Sequence, residues 1–284
     1  MRKQHWFALL IPAMMIATGC EASPSSQTTP PAIAQEATTS AKGSEEGKTS
    51  EFADVLSAYV DAQGLVDYET LQSNRKQLDT YNDSLQAINP ETFATWSEEA
   101  QIALLINAYN SLTLKAIIDE SPIKDSIKDI SGVWRFNRHG ILQDKKTLNN
   151  IEHDILRVDY NEPRIHAALV CAAVSCPYLR QEPYTAENLD AQLDDQVEIF
   201  LSRKEVFEID REKGEVRLSA IFDWFKEDWI ASFGTDEGFA GNEGERAVLN
   251  FITGYLSEED SEYLKAGNYK VKYSNYDWSL NEQL

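Results

Sequence analysis

Pro163 to Arg180, PRIHAALVCAAVSCPYLR, gathers His166, Cys171 and Cys176 within eleven positions of a chain that has only four histidines and three cysteines. A cysteine attacks as its thiolate, which needs a histidine or a helix N-terminus nearby to lower its pKa, and the histidine needs a third group to hold its ring. The residue types for that arrangement are present: His166 or His153 as base, Asn107, Asn110 or Asp277 as orienting group, and backbone N–H groups beside Ser175 to Pro177 as oxyanion donors. The chemistry would be acyl transfer or hydrolysis of a peptide or other amide. Cys176, next to a proline, reads as the more exposed thiol, whereas Cys171 sits amid Ala and Val.

Two other chemistries draw on the same residues. Cys171 and Cys176 could close a disulfide, provided the chain turns between them, because regular helix or strand geometry holds residues i and i+5 apart or facing away. Their Cys-x4-Cys spacing is not the Cys-x2-Cys of thioredoxin-like redox pairs. Zinc held by His166, Cys171 and Cys176 would lack an assigned fourth ligand and fits no common zinc spacing. No Gly-rich phosphate loop follows a strand and no helix carries paired histidines, so neither cofactor nor metal is expected.

The elements that must position these groups begin after an address and a tether. Arg2 and Lys3 precede an apolar run from Trp6 to Ala17, too short to span a bilayer and suited to the core of a signal peptide. The run ends Ile16-Ala17-Thr18-Gly19-Cys20, which resembles a bacterial lipobox; Ala17 stands where Leu is preferred. The resemblance implies lipidation of Cys20, and Glu21 rather than Asp after it implies sorting to the outer membrane, facing the periplasm. Residues 1–20 are therefore expected to be a lipoprotein signal peptide, and 21–49, rich in Ser, Thr, Pro and Ala, a disordered tether that buries too little apolar surface to fold.

Residues 50–284 are expected to form one globular domain. Helices are predicted from Ser50 to near Gly64, over Thr70–Ala87, and over Ser97–Asp119, the last apolar nearly all round and therefore buried. Asn107 and Asn110 lie one turn apart within it, and buried carboxamides must be bonded; tying a neighbouring loop to the helix is the simpler role. A hairpin is predicted over Val133–Leu142, turning at Asn137–Gly140 with His139 exposed in the turn, followed by a helix that Thr147 caps and that carries His153 on its flank. Further on come a helix capped by Thr185, a hairpin turning at Arg211–Gly214, a helix from Ser219 whose Phe222, Trp224, Phe225 and Trp229 read as core, and a last strand over Lys270–Tyr276. The fold class is α+β: mostly helical, with a small antiparallel sheet or hairpins. The balance of 26 basic against 47 acidic residues, net charge −21, disfavours nucleic acid as a partner.

Several blocks together resemble a family known as domain of unknown function 547: Gly64-Leu65-Val66-Asp67-Tyr68, Ile106-Asn107-Ala108-Tyr109-Asn110, Ile151-Glu152-His153, Arg164-Ile165-His166 through Cys171 to Cys176-Pro177, Phe222-Asp223-Trp224, and Tyr276-Asp277-Trp278-Ser279-Leu280-Asn281. The resemblance carries positions and no settled reaction. In the family's plant members the position of Cys176 is often Ser or Asp and that of Cys171 usually Cys, which favours Cys171 as a nucleophile. Two functions remain in view: a cysteine-nucleophile hydrolase or acyltransferase, and a non-catalytic binding or scaffold domain in which Cys171 and Cys176 are structural. The expected partners are a membrane, through the lipid at Cys20, and an unidentified peptide or small molecule.

Overall fold

The structure, a computed structural model, describes residues 49–283. The expected signal peptide, Cys20 and the expected tether of residues 21–49 lie outside the described residues, except residue 49, which begins a helix.

Helix α1, residues 49–59, buries Phe52, Val55 and Leu56. The chain then reverses at Gly64, whose φ of +69° suits glycine and where a Cβ would come within 2.7 Å of the backbone at Tyr178 and Leu179. The helix expected over Thr70–Ala87 is two: α2, Tyr68–Ser73, capped by Asp67, and α3, Lys76–Ala87. Asn74 breaks it by turning its side-chain amide back onto the Thr70 carbonyl at 2.9 Å. A short α4, Pro90–Phe93, precedes α5, Glu98–Ile118, which Ser97 caps through its hydroxyl. As its composition predicts, α5 is buried on almost every side.

The predicted hairpin lies further along the chain than expected. Strands β1, His139–Ile141, and β2, Asp144–Lys146, turn at Leu142 and Gln143, both with left-handed φ, while residues 131–136 coil over the Gly132 carbonyl. Neither turn residue is one that such a turn prefers. Their N–H groups are instead held by the Leu85 and Gln86 carbonyls of α3 at 3.0 and 3.2 Å. His139 is accordingly a half-buried strand residue and not an exposed turn residue.

A π-helix, Asn150–Leu156, runs into the single turn α6, Arg157–Asp159, and a 3₁₀ segment, Pro163–Ala167, leads into the central stretch. Helix α7, Leu189–Leu201, starts at Asn188 and later than a Thr185 cap would place it. Strands β3, Phe207–Asp210, and β4, Glu215–Leu218, pair antiparallel around the predicted turn, but β5, Lys270–Tyr273, joins β4 in parallel, so the sheet is mixed. That parallel pairing needs a crossover. It is supplied by α8, Ala220–Phe225, a 3₁₀ turn Lys226–Trp229, α9, Ile230–Phe233, α10, Glu243–Ile252, and α11, Glu258–Ala266. The fold is α+β and mostly helical.

Two apolar clusters make up the core. One surrounds α5, and the other lies between α7, the three-stranded sheet and α10. Ala167 belongs to the second and Ala168 to the first, so the central stretch runs along their seam. Among the described residues no helix is long and apolar enough to cross a membrane.

Candidate functional site

Helix α5 places the central stretch through its two asparagines. Asn110 donates to the Ala168 carbonyl at 3.0 Å and accepts the Val170 N–H at 2.9 Å; Asn107 does the same for the carbonyl and N–H of Tyr184 at 2.8 and 2.9 Å. Both carboxamides are thereby bonded on each side and lie outside the cleft described below. Beyond Val170 the chain turns sharply. Ala172 takes a left-handed φ of +57°, and the Cys176 N–H returns to the Ala173 carbonyl at 2.9 Å.

This turn brings Cys171 and Cys176 together as a disulfide. The Cys176 side of the pair is buried, at 2% exposure, while Cys171 is half-buried, the reverse of the exposure expected from their neighbours. The Tyr276 hydroxyl sits 3.2 Å from the Cys171 sulfur and 3.1 Å from the Cys176 sulfur. The backbone groups expected as oxyanion donors are occupied: the Ser175 N–H bonds the Asp277 carbonyl, the Cys176 N–H closes the turn, and Pro177 has none. Arg203 holds the turn from behind, donating to the carbonyls of Cys176 and Val174 at 2.6 and 2.8 Å. Asp277 accepts from the Ser279 N–H at 2.9 Å, is exposed, and stands apart from the cleft lining.

The π-helix supplies the polar side. Thr147 and Asn150 fix its start by exchanging backbone-to-side-chain bonds of 3.1 and 3.0 Å. A π-helix has more residues per turn than an α-helix, so successive side chains diverge less. Adjacent Glu152 and His153 can therefore both line one cleft. Its volume is about 260 Å³, and Trp134, Trp224, Phe225, Tyr276 and Trp278 form most of its walls, with the two sulfurs and His166 also on its surface. Trp224 and Trp278 lie within 19° of parallel at 5.8 Å, and Tyr276 packs on both at 4.8 and 4.6 Å. The aromatic helix after Ser219 is thus divided in role. Phe222 and Trp229 are core and Phe225 packs against that core while also lining the cleft, but Trp224, 47% exposed, belongs to the cleft and not to the core as expected.

Glu152 lies deep among protein atoms with one edge open to the cleft. Burial raises its pKa, against the opposing pull of His153, the Tyr109 hydroxyl that donates to it, and Arg157. The Tyr109 hydroxyl, itself buried and pushed far upward, accepts from the Trp134 indole. Arg157 donates to His153 Nδ1 at 2.7 Å, which places that ring's N–H on Nε2, and grips Asp228 with two bonds of 2.6 and 2.8 Å. Asp228 accepts the Nε2–H of His166 at 2.7 Å. Burial works against the charge on Asp228, yet Arg157 and His166 hold it well below the usual carboxylate range. His166, stacked on Phe225 at 4.2 Å, is pushed down by burial more than Asp228 lifts it, and so stays neutral near neutral pH.

Of the residues singled out in the sequence, the structure brings together Cys171, Cys176, His153 and His166 in one cleft, and sets Asn107, Asn110 and Asp277 outside it. No hydrogen bond joins a histidine to either sulfur among the described residues. Sequence reasoning missed Glu152, Tyr109, Arg157, Asp228 and Tyr276. The pair Glu152-His153 and Tyr109 inside Asn107–Asn110 were the available signals; Arg157 and Asp228, 71 positions apart, left none. Among the described residues no group of three His, Cys, Asp or Glu side chains is placed to hold a metal ion.

Fold and site together define an α+β domain with a disulfide-floored aromatic cleft, a buried carboxyl at one end and an arginine–aspartate–histidine network behind it. Residues 93–201 of the chain match the family model described as protein of unknown function, DUF547. The match takes in α5, the π-helix, the central stretch and α7; the resembling blocks at Gly64–Tyr68, Phe222–Trp224 and Tyr276–Asn281 fall outside it. Comparison with curated proteins and with solved structures gave no match.

Proposed function

We propose that this is an exported, lipid-anchored binding domain whose aromatic cleft holds a small ligand, with Cys171 and Cys176 as a structural disulfide. The observation that carries it is that the two sulfurs are bonded to each other at the cleft surface under one tyrosine hydroxyl, and neither is left as a thiolate. A nucleophile needs that thiolate. The histidines are also engaged elsewhere, His166 with Asp228 and His153 with Arg157. A disulfide is at home in an oxidising compartment, which supports export to the periplasm by the leader at residues 1–20, with Cys20 lipidated and the outer membrane as destination.

Intact-mass analysis of the unreduced full-length protein, together with labelling by a thiol-reactive amide, tests the reading. The expected mass is that of one internal disulfide with neither Cys171 nor Cys176 labelled. Two free thiols, or covalent labelling of Cys171 without added reductant, would overturn it in favour of a cysteine-nucleophile hydrolase or acyltransferase. For the anchor, the Cys20→Ala protein is expected in the soluble periplasmic fraction and the wild type with membranes; membrane association of both excludes a lipid at Cys20.

A further inference from the structure

The cleft combines three properties that narrow what it can hold. Its wall is aromatic and partly open: Trp224 is 47% exposed, and with Trp278 and Tyr276 it forms a continuous apolar platform. Its other side is lined by planar polar groups, Asn149, Glu152, His153 and Arg135. Among the side chains that line it, Arg135 and Glu152 supply one formal charge site of each sign, and the rest are histidine, asparagine, aromatic, aliphatic and disulfide groups. With one residue of each sign in the lining, neither an organic cation nor an anion meets a cluster of opposite charge. Among the described residues Tyr109 is the side-chain donor to Glu152, a group with capacity for several bonds, and its edge at the cleft is open to a ligand.

We infer that the cleft takes a neutral polyhydroxylated ring, a pyranose of a sugar, with its C–H face on Trp224 and its hydroxyls bonded to Glu152, Asn149 and the N–H of His153. Such a ring offers an apolar face and a rim of groups that each donate and accept. The volume of about 260 Å³ is below the roughly 300–1,000 Å³ of drug-sized clefts and suits one ring rather than a chain of them. Burial raises the Glu152 pKa; the carboxyl accepts from a ligand hydroxyl in either form, and its protonated form donates as well. The site binds and does not hydrolyse the glycoside. Cleavage needs two carboxyls flanking the bond, and the second carboxyl here, Asp228, is engaged by Arg157 and His166.

This assignment rests on the binding reading above, and the test separates the two. The full-length protein is titrated with the methyl glycosides of glucose, galactose, mannose and N-acetylglucosamine, with benzyl alcohol, and with benzylamine, following the indole N–H signals by NMR. At least one methyl glycoside is expected to saturate the signals of Trp224 and Trp278 in the millimolar range. Trp224→Ala and Glu152→Ala should each weaken that binding about tenfold or more, while Glu152→Gln, which keeps one donor and one acceptor, should stay within about threefold. Circular dichroism of each variant checks that the fold is retained; Trp224, being exposed, is the variant least exposed to that objection. Binding of benzyl alcohol or benzylamine with no response to any glycoside overturns the sugar assignment and leaves a binding cleft of another kind. Loss of benzylamine binding in Glu152→Gln would mark that other kind as a cation site. Silence toward all probes overturns both readings.

Discussion

Replacing Asn110 by alanine tests whether this side chain belongs to the frame or to the chemistry. It makes two buried bonds, to the Ala168 carbonyl at 3.0 Å and from the Val170 N–H at 2.9 Å. Asn110→Ala leaves both backbone groups without partners at a site 3% exposed. Each orphaned group costs about 1–3 kcal/mol, and partial relaxation around the smaller side chain brings the expected total to about 3 kcal/mol. In a domain of this size 1 kcal/mol moves Tm by about 2–4 °C, so a fall of about 6–12 °C is expected. Asn110→Asp adds a second reading of the same contact. Its carboxylate can still accept from Val170, but faces the Ala168 carbonyl without a donor unless protonated. Its folded pKa is therefore raised, and a carboxyl raised on folding stabilises below its ordinary pKa and loses that contribution as pH rises through the folded value. The aspartate variant should melt closer to wild type at pH 5 than at pH 8. Calorimetry of the full-length protein at both pH values is sufficient. An alanine variant that melts with the wild type, or an aspartate variant indifferent to pH, would refute the framing role and return Asn110 to the candidates for direct chemistry.

Three further outcomes follow from the same geometry. Asp228→Asn should lose about 2–3 kcal/mol in urea titrations, since Arg157 and His166 keep their cost of burial without the carboxylate. Because the Asp228 pKa is depressed in the fold, its contribution is present above the ordinary carboxylate range and is lost only as pH falls through the lower folded value, so the difference from wild type should persist to acid pH; equal stabilities at pH 7 would contradict the network. Glu152→Gln should raise Tm at pH 8 and leave it nearly unchanged at pH 4, because the folded pKa of Glu152 is raised and its charged form is the unfavourable one; a Tm lowered at pH 8 would show that the carboxylate is stabilising. Reducing Cys171–Cys176 releases a loop of separation 5, worth roughly 2 kcal/mol by loop-closure entropy, so dithiothreitol should lower Tm by about 4–8 °C; an unchanged Tm would mean the bond adds nothing to the fold.

The helices were legible wherever a cap and an apolar period agreed. Ser97 and the run after it placed α5, and the turn at Arg211–Gly214 placed β3 and β4. Where tertiary contacts outweigh local preference, legibility ended. Leu142 and Gln143 form a left-handed turn only because α3 offers carbonyls to them, and β5 chooses a parallel partner across more than fifty residues of crossover. At the site, His153, His166 and the cysteines stood out by rarity. Their exposure did not, because the turn after Val170 rotates Cys176 inward. Trp224 looked like core because an aromatic stripe on a helix has the same sequence whether a neighbour covers it or a cleft opens beside it. The charged network was invisible for another reason: Arg157 and Asp228 are ordinary surface residue types, and only folding shows that they meet.

The last stretch of chain, from Tyr276 to Gln283, has a consequence for how the molecule comes into being. Ser279 and Asp277 offer their carbonyls to Val174 and Ser175, Asn281 joins Ala172, Gly64 and Tyr68, and Tyr276 and Trp278 complete the cleft wall. These contacts span from about one hundred to more than two hundred positions, so their loop closures come late in folding. The cleft is therefore unfinished until the stretch that carries Tyr276 and Trp278 has been synthesised and has docked. Any occupant must arrive after that docking, and a chain cut short before Tyr276 is inert toward it.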